Sequence, residues 1–257
     1  MRIRAPRVSP ANPPRVTTVC SVTYLPCMPV LQLPIFPLPL VLFPGVPQLL
    51  HIFEPRYRQM LADCMDGDRR FGVSMVEPDP DADPSPAQGA AGCVAYVRAQ
   101  TTLPDGRANI LTVGEERYLL VDYLETDRPY RVARVQTFDD DVEDSEPLGA
   151  LSTRVGEMFG RFSTVINALN DSLTGIPELA DDPKARSFQI AAAIEMESRA
   201  KQELLVLRSA HRRLDALEKI LRAAIVELGP RAEIHIRARR NGKGGPNAAI
   251  VQGTHDS

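Results

Sequence analysis

His51, Glu54, Arg56 and Arg58 fall within the eight residues HIFEPRYR. An imidazole, a carboxylate and two guanidiniums at that spacing could serve as a base, an acid and an anion clamp. The architectural reading of the same residues is simpler and is the favoured one. His51 would fix a strand-to-helix corner by hydrogen bonding, and Glu54 would sit at the positive end of a helix dipole. The arginines would then bind nearby carboxylates or carbonyls. No second histidine lies close enough in sequence to form a metal pair. Arg117 stands between a turn signal and a strand pattern. A buried structural ion pair is its expected role, with ligand contact as the alternative.

Larger catalytic signatures are missing from the sequence. There is no G-x-x-x-x-G-K-[ST] phosphate loop, no G-x-S-x-G elbow and no H-E-x-x-H zinc helix. The four lysines, Lys184, Lys201, Lys219 and Lys243, fall on expected helix surfaces or in the tail. An activated lysine needs burial to lose its proton near neutral pH. Cys20, Cys27, Cys64 and Cys93 form no C-x-x-C pair, so free thiols in a reducing compartment are expected. The expectation is a chain without catalytic residues, metal or cofactor.

The elements that hold these residues follow from proline, glycine and periodicity. Pro34, Pro37, Pro39 and Pro44 lie among bulky apolar residues, which excludes a long helix and predicts an extended segment with edge character. Pro44-Gly45 signals a turn, and Val46 to Phe53 fits a second strand. Pro55 suits the first position of a helix whose apolar face is Tyr57, Leu61 and Cys64 or Met65. Asp66-Gly67 should end it, with Gly67 in the left-handed cap conformation. Arg70 to Val76 returns as a strand.

LPIFPLPLVLFPG, then HIFEPRYRQM, then GDRRFGV, resembles the amino-terminal substrate-binding domain of Lon proteases. The resemblance extends less tightly through Leu103–Arg107 and Gly114–Tyr118, and on to Lys201–Leu205 and Arg213-Leu214. It implies a PUA-like β pseudo-barrel followed by a small helical bundle, an α+β fold. It marks His51, Phe53, Glu54, Arg56, Tyr57 and Arg117 as family-motif residues. Full-length Lon enzymes also need an ATPase and a Ser-Lys protease domain, for which 257 residues leave no room. The expected role is therefore a non-catalytic recognition module for unfolded or degron-bearing proteins, presenting them to a separate protease. Phe36, Leu38, Leu40, Leu42, Phe43 and Pro44 are more apolar residues than one strand face can bury. Some should stay exposed as a peptide-binding patch, for which Phe36, Leu38, Leu40, Phe43 and Pro44 are the candidates; burial of the run against the helices is the alternative.

The remaining chain divides by composition. Residues 1–28 are proline-rich with little periodicity and read as a disordered tail, with Met28 as an alternative translation start. The barrel should span 29–140, with one helix near 55–66. Glu77 to Pro86 alternates acids and prolines and reads as an exposed loop. Four strands are expected in a meander: Gly92–Thr101, Ala108–Val113, Arg117–Leu124 and Tyr130–Phe138, with turns at Pro104–Gly106 and Gly114-Glu115. Asp139 to Glu146 holds six acids and reads as an extended hinge. From there the period becomes 3.6, giving helices over 147–229. Ser198 and Ser209 are expected as N-caps, and Gly229-Pro230 as the stop. Residues 230–257, with Arg237, Arg239, Arg240 and Lys243, read as a flexible tail.

Formal net charge is −3, so no global basic field points to nucleic acid, and the acidic segments argue against an RNA-binding reading. No run of about 18 apolar residues predicts a membrane span. The default is a cytoplasmic protein, and a homodimer is compatible with it.

Overall fold

The computed structural model describes residues 30–77, 85–172 and 175–242, with side chains through 239. The expectations for residues 1–28, the centre of the acidic-proline loop and Lys243 lie outside the described residues. Six strands make one mixed sheet: β1 (Val30–Leu38), β2 (Pro47–Ile52), β3 (Arg70–Met75), β4 (Ala91–Thr102), β5 (Ala108–Leu124) and β6 (Val132–Phe138). Five helices accompany it: α1 (Pro55–Asp66), α2 (Ser145–Leu169), α3 (Pro183–Ala193), α4 (Ser198–Val206) and α5 (Ala210–Gly242). The fold is α+β.

The strand order is β2-β5-β4-β3-β1-β6, and β6 pairs again with β5. Five strands therefore close into a ring, and β2 is attached outside it. β1 is interior to the order, not an edge. Its first half, Val30–Pro34, runs antiparallel to β6, and its second half, Ile35–Leu38, runs parallel to β3. The prolines fit because of parity. The Ile35 amide donates to the Arg131 carbonyl, and the Leu38 carbonyl accepts from the Val76 amide. Alternate residues therefore bond to the neighbour, and the missing donors of Pro34 and Pro37 fall on the unpaired side.

Three strands, not four, follow the acidic-proline loop, because β5 runs unbroken through Gly114 and Glu115. A Cβ on Gly114 would lie 2.2 Å from the Phe43 carbonyl oxygen. Glycine there marks the close approach of a second backbone segment, not a reversal. At the end of α1, Gly67 has φ −107, and Arg69 takes the left-handed conformation at φ 63.

Both faces of the sheet are buried. Phe36, Ile52, Phe71, Val97 and Ile110 pack with Tyr57 of α1 in one cluster, while Leu33, Ile35, Val94, Tyr118 and Leu120 form a second, the irregularity in the β4–β5 pairing moving Tyr118 and Leu120 to it. A third cluster joins Leu151, Val155, Phe159, Phe188, Leu214 and Leu221 of the helices to Phe43 of the proline-rich segment.

The acidic segment after β6 is not a loose hinge. Asp140 sits between two buried guanidiniums, Arg117 of β5 and Arg213 of α5. Asp139 pairs with Lys184 and Asp141 with Arg208. Glu143 accepts from the Ser209 hydroxyl and the His211 amide, while Ser209 Oγ caps α5 by accepting from the Arg212 amide. Like charges tolerate this crowding because four of the six, Asp139, Asp140, Asp141 and Glu143, face a cation or helix amide. Ser198 does not cap α4; Glu197 holds that position, and the Ser198 hydroxyl donates to the Pro39 carbonyl. α5 continues through Pro230 to Gly242. Proline there deletes one helix bond, but beyond it Ala232 is buried and both His235 and Arg239 bond Asp171. The described part of the 230–257 segment is thus helical.

Candidate functional site

Among the described residues, β2 is the strand with an open side. It pairs only with β5, in register from Pro47↔Val113 to Ile52↔Ala108. The Gly114 amide donates to the Val46 carbonyl, which sets the parity of the ladder. Even-numbered residues exchange bonds with β5, so the main-chain groups of Leu49 and His51 point away from it. The outward Leu49 carbonyl accepts from the Gln48 side chain. Leu50 and Ile52 enter the core, whereas Leu49 is 73% and Phe53 59% exposed. His51 lies between them, its Nδ1 2.7 Å from Asn109 Oδ1 on β5 and its ring stacked on Phe53 at 6.0 Å. An exposed apolar pair thus flanks a strand edge with outward-facing main-chain groups, the arrangement that accepts an added strand.

Beside this edge lies a pocket of about 140 Å³ bounded by Leu40, Val41, Val46, Gln48, Met196 and Lys201. Val46 and Gln48 carry the parity opposite to Leu49 and Phe53. Lys201 donates to the Ala192 carbonyl, and burial lowers its pKa from the ordinary lysine value.

The expected apolar patch is placed differently from its prediction. Phe36 and Phe43 are 5% and 1% exposed. Phe36 packs on Tyr57 with ring centroids 4.4 Å apart, and Phe43 faces Phe188 in the helical core. Neither offers a surface: the apolar excess is absorbed by two cores on opposite sides of the same segment. Leu38, Leu40 and Pro44 are half-buried, and of these Leu40 borders the pocket beside β2. Leu49 was missed because Leu49 and Leu50 are adjacent leucines, and only the β5 register decides which faces outward. The signal in the sequence was the alternation Leu50, Ile52 against Leu49, Phe53.

Of the family-motif residues, Glu54, Tyr57 and Arg117 engage neighbouring side chains. Glu54 occupies the N-cap position of α1 without capping an amide and accepts instead from Arg56 Nε at 3.0 Å. Tyr57 is buried, with the Arg56 guanidinium 4.7 Å from its ring centroid. Arg117 forms the buried ion pair expected of it. Its Nη1 donates to the Leu205 and Leu207 carbonyls at 2.8 and 2.7 Å, and its guanidinium lies over Phe138 and Phe188. Burial lowers its pKa and Asp140 opposes that shift. His51, Glu54 and Arg117 do not converge on one cavity. No cluster of three or more His, Cys, Asp or Glu able to hold a metal occurs among the described residues. Nor is any described helix long and apolar enough to cross a membrane.

A closed ring with one attached strand and helices behind it defines the fold class of this chain. Two solved structures share the fold. The Lon N-terminal domain protein from Xanthomonas campestris is 24% identical, with a TM-score of 0.54 over 73% of this chain and 96% of that one. The N-terminal domain of the Mycobacterium avium complex Lon protease is 15% identical, with a TM-score of 0.55 over 74% and 97%. Residues 32–223 match the family described as the ATP-dependent protease La (LON) substrate-binding domain, and the chain belongs to that family. Among sequence relatives, Lon protease 2 of Herpetosiphon aurantiacus is 26% identical over 193 residues, 74% of this chain and 24% of that protein. Lon protease of Brucella suis is 25% identical over 203 residues, 78% and 25%. The chain thus spans about a quarter of the length of the curated relatives it matches.

Proposed function

We propose that the protein recognises extended, apolar segments of other polypeptides, in unfolded or degron-bearing proteins of the cytoplasm, by adding them to the free edge of β2. It acts without catalysis and hands its cargo to a separate protease. The observation that carries this is the conjunction at β2 of outward main-chain groups, the exposed Leu49 and Phe53, and a pocket of mixed apolar and polar lining on the opposite parity. An added strand would lay alternate side chains over Leu49 and Phe53 and turn the others toward Leu40, Val41 and Met196. Membership of a substrate-binding family supports recognition of protein segments, and the motif residues make architecture instead of an active site.

The test is binding of fluorescent unstructured peptides of alternating apolar residues to the purified protein. Leu49→Asp with Phe53→Asp should weaken binding about tenfold or more, the effect of roughly 1.4 kcal/mol. Peptides N-methylated at alternate residues should bind only in the register that keeps the edge bonds. Equal binding by parent and double variant would remove β2 as the site. Equal binding by both methylated registers would remove strand addition.

A further inference from the structure

The pocket beside β2 holds a cation without an ion-pair partner. Lys201, one of the lysines expected on a helix surface, is half-buried in the first turn of α4 and lines this space of about 140 Å³. Its ammonium donates to the Ala192 carbonyl at 3.0 Å. That is its one side-chain hydrogen bond among the described residues, and an ammonium has three donors. Among the described residues no carboxylate lines the pocket, and Glu195 acts on Lys201 only as a charge at a distance. Burial lowers the lysine's pKa, which reflects the cost of holding this charge away from water. Leu40, Val41, Val46 and Met196 make apolar walls. The Gln48 side-chain amide and the Ser198 hydroxyl donate to the Leu49 and Pro39 carbonyls, so the ammonium is the strongest donor left in the wall.

The pocket's place along β2 decides which part of a bound segment meets it. Val46 and Gln48 lie at the amino end of the strand, and Pro44-Gly45 turns the chain just before it. A segment added antiparallel to β2 runs from Ile52 toward Pro47, so its carboxyl end arrives here. Opposed residues of an antiparallel pair turn to the same face. The residue across from Gln48 therefore turns its side chain to the pocket. β2 begins at Pro47, and the edge offers no strand beyond it along which the segment could continue.

We propose that this pocket takes the free carboxyl terminus of the segment bound at β2, with Lys201 receiving the carboxylate and the apolar walls receiving the side chain at that end. A half-buried ammonium set in apolar walls suits an anion with an apolar group beside it, and a chain end supplies both at one point. The end of the edge at Pro47 favours a chain terminus over an internal acidic residue, whose segment would run on past the strand. The proposal rests on strand addition at β2 and gives it a direction and an end: cargo lies antiparallel to β2 and is read from its carboxyl terminus.

The experiment is fluorescence anisotropy with the full chain at fixed ionic strength. The probes are three peptides of one alternating apolar sequence, labelled at the amino end. One ends in leucine with a free carboxylate, one in leucine carboxamide, and one is a carboxamide with an internal glutamate. The acid should bind at least about tenfold tighter than the carboxamide. Lys201→Met should bring the acid down to the carboxamide's level, and Lys201→Arg should retain most of the preference because the charge stays. L49D/F53D should weaken acid and carboxamide alike. Absence of that common weakening would remove β2 as the site. Equal binding of acid and carboxamide by a parent still sensitive to L49D/F53D would overturn the present proposal alone. An undiminished preference in K201M would place the carboxylate elsewhere and overturn it too. Binding of the internal-glutamate peptide as tight as that of the acid would assign an acidic side chain in place of a chain end. Should K201M fail to fold, the acid and carboxamide on the parent and on K201R decide.

Discussion

Asp140→Asn should unfold this protein more readily than any single exposed charge change. Asp140 Oδ2 accepts from Arg213 Nη2 at 2.6 Å, and Oδ1 accepts from Arg117 Nη2. The two guanidiniums are 1% and 0% exposed. Their other donors go to the Leu205 and Leu207 carbonyls and the Ser187 hydroxyl, so the geometry survives an isosteric change. What the substitution removes is the countercharge, leaving two buried cations about one shared neutral amide. Breaking a buried pair in this way costs about 3–5 kcal/mol. For a domain of roughly 200 residues each kcal/mol moves the midpoint by about 2–4 °C, so a fall on the order of 6–20 °C is expected. The control is Asp141→Asn, whose partner Arg208 is 43% exposed, and there the loss should stay below about 1 kcal/mol. Thermal unfolding followed by far-ultraviolet circular dichroism reads both. A D140N midpoint within about 2 °C of the parent, or equal losses in the two variants, would refute the claim that the acidic segment locks sheet to helices.

Gly92→Ala should be strongly destabilising, because the new Cβ would meet the Tyr118 ring and the Val73 carbonyl oxygen, both at 2.4 Å. Overpacking of this kind costs about 1–3 kcal/mol or more, and Tyr118→Ala in the same chain should not restore the midpoint, since the backbone clash remains. On the acid side, the Arg154 hydrogen bond, aided by Arg222, holds the Glu218 carboxylate below its ordinary value of 4.5. A depressed carboxylate stabilises fully above its unfolded pKa and loses that contribution as pH falls through the folded one. Parent and Glu218→Gln should therefore differ in unfolding midpoint at neutral pH and converge well below pH 4.5. At the alkaline end, burial raises the Cys64 thiol from 9.0 to about 12. Its stabilisation is complete below pH 9.0 and is lost as the pH climbs toward 12, so a Cys64→Ser chain should show a shallower alkaline loss in a midpoint-against-pH series.

Much of the architecture was legible because it rests on local chemistry. Pro55 opens α1 where the sequence placed it, and the 3.6-residue period expected from 147 begins within α2. The failures share a cause: each local signal was overruled by a distant partner. Gly114-Glu115 has turn chemistry, yet Gly114 is there to admit the Phe43 carbonyl, a contact 71 positions away in sequence. Gly229-Pro230 has stop chemistry, yet the helix beyond it is held by Asp171. The acids after β6 looked self-repelling because their cations, Arg117, Lys184, Arg208 and Arg213, come from four other places in the chain. Arg117, expected in a buried ion pair, is paired with Asp140 in the interior, whereas Arg134 in the neighbouring strand stays exposed, and nothing local in the sequence separates the two. The exposed apolar pair on β2 was not legible, since exposure at Leu49 depends on a register no single strand can reveal.

The prolines that misdirected that reading also limit what the β2 edge can do. Pro47 begins β2 without an amide donor, and Pro44 and Gly45 turn the chain immediately before it. Only Leu49 and His51 then offer complete pairs of outward main-chain groups on the strand, and the Leu49 carbonyl is shared with Gln48. A long, flat edge would invite open-ended stacking of copies, whereas a short one bounded by proline resists it. The same brevity restricts an added segment to a few backbone bonds, each worth about 0.5–1.5 kcal/mol net. Affinity must then come from side chains on Leu49, Phe53 and the neighbouring pocket. Gln48→Ala, which frees the Leu49 carbonyl, should tighten binding of an extended peptide by up to about tenfold. Weaker binding in that variant would mean that Gln48 itself grips the segment and that the edge is not the principal contact.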